Sequence, residues 1–204
     1  MKIYTFDAAA LEDDALFDEY MKNVSPFRRR KIRSMKLRQG KNLSLGAGAA
    51  IDLGLRDYGL REKDMEYGRN QYGKPCFTGH PEIYFNVSHS GTMAIAVFSD
   101  RPVGCDIEKI REANLKIAER FFCREEYIYI LSQPDRDFAF WRLWTLKESF
   151  VKAIGTGIGL PLDSFCMSLS GDKAEILQKT DEHDYSFFEY TAEDYRIAVC
   201  ERIK

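Results

Sequence analysis

The sequence predicts an α+β protein made of two similar α/β halves, with the active site in the cleft between them. Three observations support this. Each half combines a strand, helices and a run of short alternating strands. No Ser/Gly/Pro-rich linker separates the halves, so they dock tightly. The boundary near Pro102 gives halves 1–102 and 103–204, and it brings an acidic strand to the junction, where ligand sites are favoured.

In chain order, Ile3 to Phe6 reads as a strand and Ala10 to Met21 as a helix with Leu11, Phe17, Tyr20 and Met21 as its apolar members. Ser25-Pro26 signals a second helix start, because proline fits the first helical position. Lys41 to Arg56, rich in Ala, Gly and Leu, reads as a helix that packs closely on a neighbour. Tyr72-Gly73-Lys74-Pro75 is a turn, and strands follow near Ile83 to Val87, Met93 to Ser99 and Val103 to Ile110. The pattern is then helical over Leu115 to Phe122, Glu125 to Leu131 and Pro134 to Ile154, with Gly155-Thr156-Gly157-Ile158-Gly159 as a stop. Strands near Phe165 to Leu169, Ala174 to Leu177, Tyr185 to Thr191 and Tyr195 to Cys200 complete the chain.

At 204 residues and 45% hydrophobic content the chain buries a real core, which excludes a disordered protein. A net charge of -2 gives no general pull toward nucleic acid or an anionic membrane, so any anion site is local. Five cysteines without a C-x-x-C pair argue against a zinc ribbon and a disulfide framework, and so for a reducing cytoplasm. No stretch is apolar enough for a signal peptide or a bilayer span.

Asp106 and Glu108 are two apart in a strand and point to one side, which outlines a hard-cation site. Glu148, on a helix, offers a third oxygen donor, and Lys152 lies one turn on. Alternatives remain open for each: solvent-facing acids on an edge strand, and an ordinary i,i+4 pair of Glu148 with Lys152. The segment Phe85-Asn86-Val87-Ser88-His89-Ser90-Gly91 gathers hydroxyls, an imidazole and a glycine where a strand ends, suited to a phosphate or simply to a self-capped turn. Arg28 to Lys41 holds eight basic residues and no acid; Arg28 and Lys31, one turn apart, either clamp a small multiply charged anion or form a solvated face. Trp141 and Trp144 read as core anchors.

Together these segments resemble the 4'-phosphopantetheinyl transferase superfamily in its long single-chain, surfactin-synthetase-activating type. The likeness rests on Ser25-Pro26, Tyr72-Gly73-Lys74-Pro75, the Phe85–Gly91 segment, Gly104-Cys105-Asp106-Ile107-Glu108, Arg120-Phe121-Phe122 and the stretch from Trp144 to Lys152. It implies transfer of the phosphopantetheine arm of coenzyme A to a serine of an apo acyl or peptidyl carrier protein, releasing adenosine 3',5'-bisphosphate, with Mg2+. It further implies Asp106, Glu108 and Glu148 as metal ligands and Lys152 at the diphosphate; the serine proton would go to a carboxylate at the metal's edge, Glu148 first and Glu108 second, or to a metal-bound water. Arg28, Lys31, Lys74, Ser88 and His89 are implied to hold the phosphates of the nucleotide end, particularly the 3'-phosphate.

One departure is visible, since Asn42 falls where the family commonly has arginine and Lys41 beside it lacks the bidentate fork. The implied partners are a carrier protein and coenzyme A, with no nucleic acid and no membrane, for a cytoplasmic monomer. Asn114 to Leu131, with Leu115, Ile117, Phe121, Phe122, Tyr127 and Ile128, is the candidate carrier-docking segment, or else part of the core. A non-catalytic coenzyme sensor and a metal-dependent hydrolase of the coenzyme diphosphate are the alternatives.

Overall fold

The computed structural model describes residues 1–177 and 182–203. They fall into two units, Met1–Asp100 and Arg101–Lys204, so the expected boundary after residue 102 lies just inside the second.

In the first unit, β1 (Lys2–Asp7), β4 (Tyr84–Ser90) and β5 (Met93–Ser99) form an antiparallel sheet in the order β1-β5-β4. Ala94, Ile95, Ala96 and Val97 of the central strand are fully buried. The helix expected over 10–21 is instead a 3-10 turn, Ala8–Glu12, followed by α1 (Asp14–Lys22). Two aspartates cause the break: Asp7 accepts the Ala9 N–H and Asp13 accepts the Leu16 N–H, so each starts its own helical segment. Ser25 caps α2 (Pro26–Ser34), as its sequence suggests.

The 19-residue α3 (Arg38–Arg56) begins one turn earlier than expected and lies on β5 and β1, with Ala50, Ile51 and Leu55 packed against Phe85 and Phe98. β2 (Tyr67–Arg69) and β3 (Pro75–Phe77) pair across the Tyr72–Pro75 turn. At three residues each, they are too short to show a strand period.

The second unit repeats the plan. β6 (Val103–Lys109), β9 (Tyr185–Ala192) and β10 (Tyr195–Arg202) form an antiparallel sheet in the order β6-β10-β9. Another 19-residue helix, α6 (Arg136–Ile154), lies across β6 and β10. Asp135 caps it through the Phe138 N–H, and Gly155 closes it. α4 (Leu115–Phe121), α5 (Arg124–Ser132) and the hairpin of β7 (Cys166–Ser170) with β8 (Lys173–Leu177) complete the unit. Trp141 is a core residue, as expected, and its indole N–H donates to the Arg111 carbonyl at 2.7 Å; Trp144 is partly buried beside it.

Two features correct the sequence reading. Cys123 and Cys166 are joined in a disulfide, 43 residues apart in sequence, although cysteine number and spacing argued against one. α5 and β7 pack together, and that long-range contact leaves no trace in local spacing. Beside the bond, Lys147 is fully buried: its Nζ donates to both Glu126 carboxylate oxygens at 2.7 and 2.8 Å and to the Phe165 carbonyl at 2.8 Å. Glu126 also accepts the Cys123 and Met167 amides, so one ion pair fastens α5, α6 and β7.

Candidate active site

β6 and α6 build one cluster within the second unit, and Gly104 is the reason they can. A Cβ at position 104 would collide with the Ser149 carbonyl oxygen and the Ala153 amide nitrogen, and would lie 2.7 Å from the Lys152 carbonyl carbon. The helix backbone therefore rides directly on the strand. Asp106 and Glu108 follow Gly104 at intervals of two and share its face, toward α6. Glu148 and Lys152 are one helical turn apart on α6.

The acids do not face solvent on a half-exposed strand: Asp106 is buried, and so are Val103, Cys105 and Ile107, which alternate with it. Lys152 Nζ donates to Asp106 Oδ1 at 2.6 Å. Burial pushes the Lys152 ammonium down, but Asp106 outweighs it and the ammonium ends above its ordinary value. The Glu148 carboxyl is pushed up, first by burial and then by the negative charge of Asp106, with Lys152 opposing and Glu108 adding to the rise. Glu108 pairs with Arg111 at 3.5 Å. Three carboxyls thus sense one another beside one ammonium. Among the described residues, no three His, Cys, Asp or Glu side chains already stand together as a metal cage. The donor set itself, all carboxylate oxygen and electrostatically crowded, fits a hard divalent cation.

In the first unit the expected phosphate residues are spread over several elements. Lys31 is exposed on α2, and Lys74 sits in a turn closed by Asn70, whose Oδ1 accepts the Tyr72 and Lys74 amides. Ser88 and His89 lie within β4, opposite Ile95 and Ala94, not beyond its end.

Arg28 is held by partners inside the first unit. Its guanidinium is buried and donates to Glu62 Oε1 at 2.8 Å, to the Ser44 carbonyl at 3.1 Å and to the Tyr67 hydroxyl at 3.4 Å. Glu62, fully buried, also takes the Ser25 amide. These bonds anchor α2 on α3. Asn42 is buried and its side-chain amide donates to Glu12 Oε1 at 2.6 Å.

In the proposed docking segment, Ala118, Phe122 and Ile130 belong to the core, whereas Phe121, Ile128 and Leu131 are exposed near Arg120 and Arg124.

Residues 102–200 match the family profile described as 4'-phosphopantetheinyl transferase superfamily. Over 189 residues the chain is 35% identical to 4'-phosphopantetheinyl transferase Sfp of Bacillus subtilis, covering 90% of this chain and 84% of that one. This chain belongs to the 4'-phosphopantetheinyl transferase superfamily. It is also 40% identical over 149 residues to the 4'-phosphopantetheinyl transferase psf-1 of Bacillus pumilus, covering 71% of this chain and 64% of that protein. Among solved structures, a holo-(acyl-carrier-protein) synthase from Bacillus anthracis overlays on 50% of this chain and 94% of its own, at a TM-score of 0.45 and 19% identity. For this transferase, two features escaped sequence reasoning: the Lys147–Glu126 anchor and the Cys123–Cys166 bond. A lysine next to Glu148 in a helix turned toward the core was the available signal for the first.

Proposed function

We propose that the chain transfers 4'-phosphopantetheine from coenzyme A to a serine hydroxyl of an apo acyl or peptidyl carrier protein, leaving adenosine 3',5'-bisphosphate. The observation that carries this is the cluster of Asp106, Glu108 and Glu148 around Lys152, held by the close seat of α6 on Gly104. Asp106, Glu108 and Glu148 are the residues that would hold Mg2+, exchanging their present cationic partners to do so. Bound there, the ion would supply Lewis-acid stabilisation to the diphosphate oxygens.

The protein's own groups account for the rest. Glu148, at its carboxylate, takes the proton of the incoming serine hydroxyl, with Glu108 as second choice. Lys152, once released from Asp106, supplies positive charge to the diphosphate as the bond to the leaving phosphate breaks. Lys31, Lys74, Ser88 and His89 hold the other phosphates, and Arg28 fixes the helix that carries Lys31. Aligning hydroxyl and phosphorus is worth about 7–11 kcal/mol of the barrier when geometry is right.

Phe121, Ile128 and Leu131, flanked by Arg120 and Arg124, suit an acidic helical carrier, because apolar area gives affinity and rim charge gives orientation. Among the described residues no helix is long and apolar enough to cross a membrane. We assign the enzyme to the cytoplasm, acting as a monomer, where ambient thiols work against the Cys123–Cys166 bond.

The test is to incubate enzyme, coenzyme A, Mg2+ and an apo carrier and to weigh the carrier. A gain of one phosphopantetheine is expected, and its loss in Asp106→Ala. Tight coenzyme binding without transfer to any carrier would instead indicate a sensor, and bisphosphate release without a carrier would indicate a hydrolase.

A further inference from the structure

The Cys123–Cys166 bond joins two elements that lie outside the β6–α6 cluster. Cys123 sits in the turn between α4 and α5, immediately before Arg124, the first residue of α5. Cys166 is the first residue of β7. The bond thus ties the α4–α5 turn to β7. On either side of that turn stand the exposed side chains of the docking patch, Phe121 at the end of α4 and Ile128 and Leu131 on α5. The joint has a second fastening that is independent of sulfur: Glu126, further into α5, holds the Lys147 ammonium of α6 and the Met167 amide of β7. Opening the bond releases the turn beside Phe121 from β7, while the buried ion pair keeps α5 on α6 and so leaves the acids in place.

Both states of the sulfur atoms are provided for. Cys123 is buried and Cys166 is half-buried, so a small thiol or disulfide meets Cys166 first. Cys123 Sγ lies 3.0 Å from the Phe165 carbonyl oxygen, which stands ready to accept its S–H once the bond is open. The same oxygen takes the Lys147 ammonium at 2.8 Å, and an ammonium beside the first turn of a helix favours the thiolate that exchange requires. In closure, the Cys166 thiolate attacks a low-molecular-weight disulfide, forming a mixed disulfide and releasing one thiolate. The Cys123 thiolate then displaces the other, so the two cysteine thiols lose two electrons and two protons and the small disulfide gains them as two thiols. Opening is the reverse, with a small thiolate attacking the Cys166 sulfur and Cys123 leaving.

We infer that Cys123 and Cys166 form a reversible thiol–disulfide switch that sets how tightly the enzyme engages its carrier protein. Closed, the bond holds the docking patch ready; open, the patch must be ordered on binding. The switch rests on the transferase activity and docking patch proposed above, and the test keeps the two apart. In a Cys76→Ser background, which removes an exposed free thiol, the enzyme is equilibrated with oxidised or with reduced glutathione. Alkylation followed by mass spectrometry counts the bonded pair, and transfer kinetics give KM for the apo carrier, KM for coenzyme A and kcat. The bond should close and reopen, with the carrier KM about fivefold higher when it is open, the order expected when one interface side chain has to be immobilised, and with kcat and the coenzyme KM unchanged. Cys123→Ser and Cys166→Ala should each stay at the open value in both buffers. An equal carrier KM in the two states, a pair that never closes, or a variant that still responds to glutathione overturns the switch. If neither state transfers, the transferase proposal fails instead. Calorimetry with the apo carrier then decides the switch: tighter binding by the closed form supports it and equal binding overturns it.

Discussion

Replacing Gly104 by alanine adds one methyl group where the strand touches helix backbone. A Cβ practically never lies closer than 3.0 Å to another heavy atom, yet the added one would fall inside that limit against Ser149, Lys152 and Ala153. All three neighbours are backbone atoms of α6, so no side chain can swing away. The helix must retreat by on the order of 1 Å, placing the cost at the upper end of core overpacking, about 3 kcal/mol. For a chain of this size that lowers Tm by roughly 6–12 °C. The same retreat carries Glu148 and Lys152 about 1 Å away from Asp106 and Glu108, the carboxylates they act with. Transfer assayed well below both melting points then drops about 100-fold, the usual consequence of an ångström of misplacement. Differential scanning calorimetry and carrier-transfer kinetics read the two effects. A Gly104→Ala enzyme with wild-type Tm and wild-type kcat/KM would refute the claim that the α6 seat on β6 sets the site.

Lys147→Met leaves Glu126 buried without its cation and lowers unfolding free energy in urea by about 3–5 kcal/mol, whereas Lys147→Met with Glu126→Gln recovers part of it. Closing the 43-residue separation between Cys123 and Cys166 is worth about 4 kcal/mol, so dithiothreitol lowers the wild-type Tm and leaves that of Cys123→Ser unmoved. Burial raises the Asp52 carboxyl, but hydrogen bonds from Arg61, the Glu62 amide and Arg56 outweigh it and hold the group below 3.8. Its contribution is therefore complete above that value and lost as pH falls through the depressed one. The Tm gap between wild type and Asp52→Asn should accordingly be wide at pH 7 and close in strong acid.

The legible part of this molecule is local. Ser25-Pro26 specifies the start of α2, Gly155 marks the end of α6, and the spacing of Asp106 and Glu108 places both on one strand face. What escaped depends on partners distant in sequence. Arg28 reads as part of an exposed basic run because Glu62, which draws it inward, is 34 residues away. Lys152 reads as the partner of Glu148 on its own helix, yet its hydrogen bond goes to Asp106 across the α6–β6 seat. The disulfide and the Lys147–Glu126 pair are invisible until α5 meets β7, and β2 and β3 are too short to show a period.

The most direct test weighs an apo carrier after incubation with coenzyme A and this enzyme, wild type beside Asp106→Asn and Glu148→Gln, with and without Mg2+. The carrier should gain one phosphopantetheine with the wild type and Mg2+, and nothing when the ion is chelated or either acid is neutralised. Undiminished transfer by both variants would contradict the central claim, that the carboxylates gathered by β6 and α6 perform the chemistry.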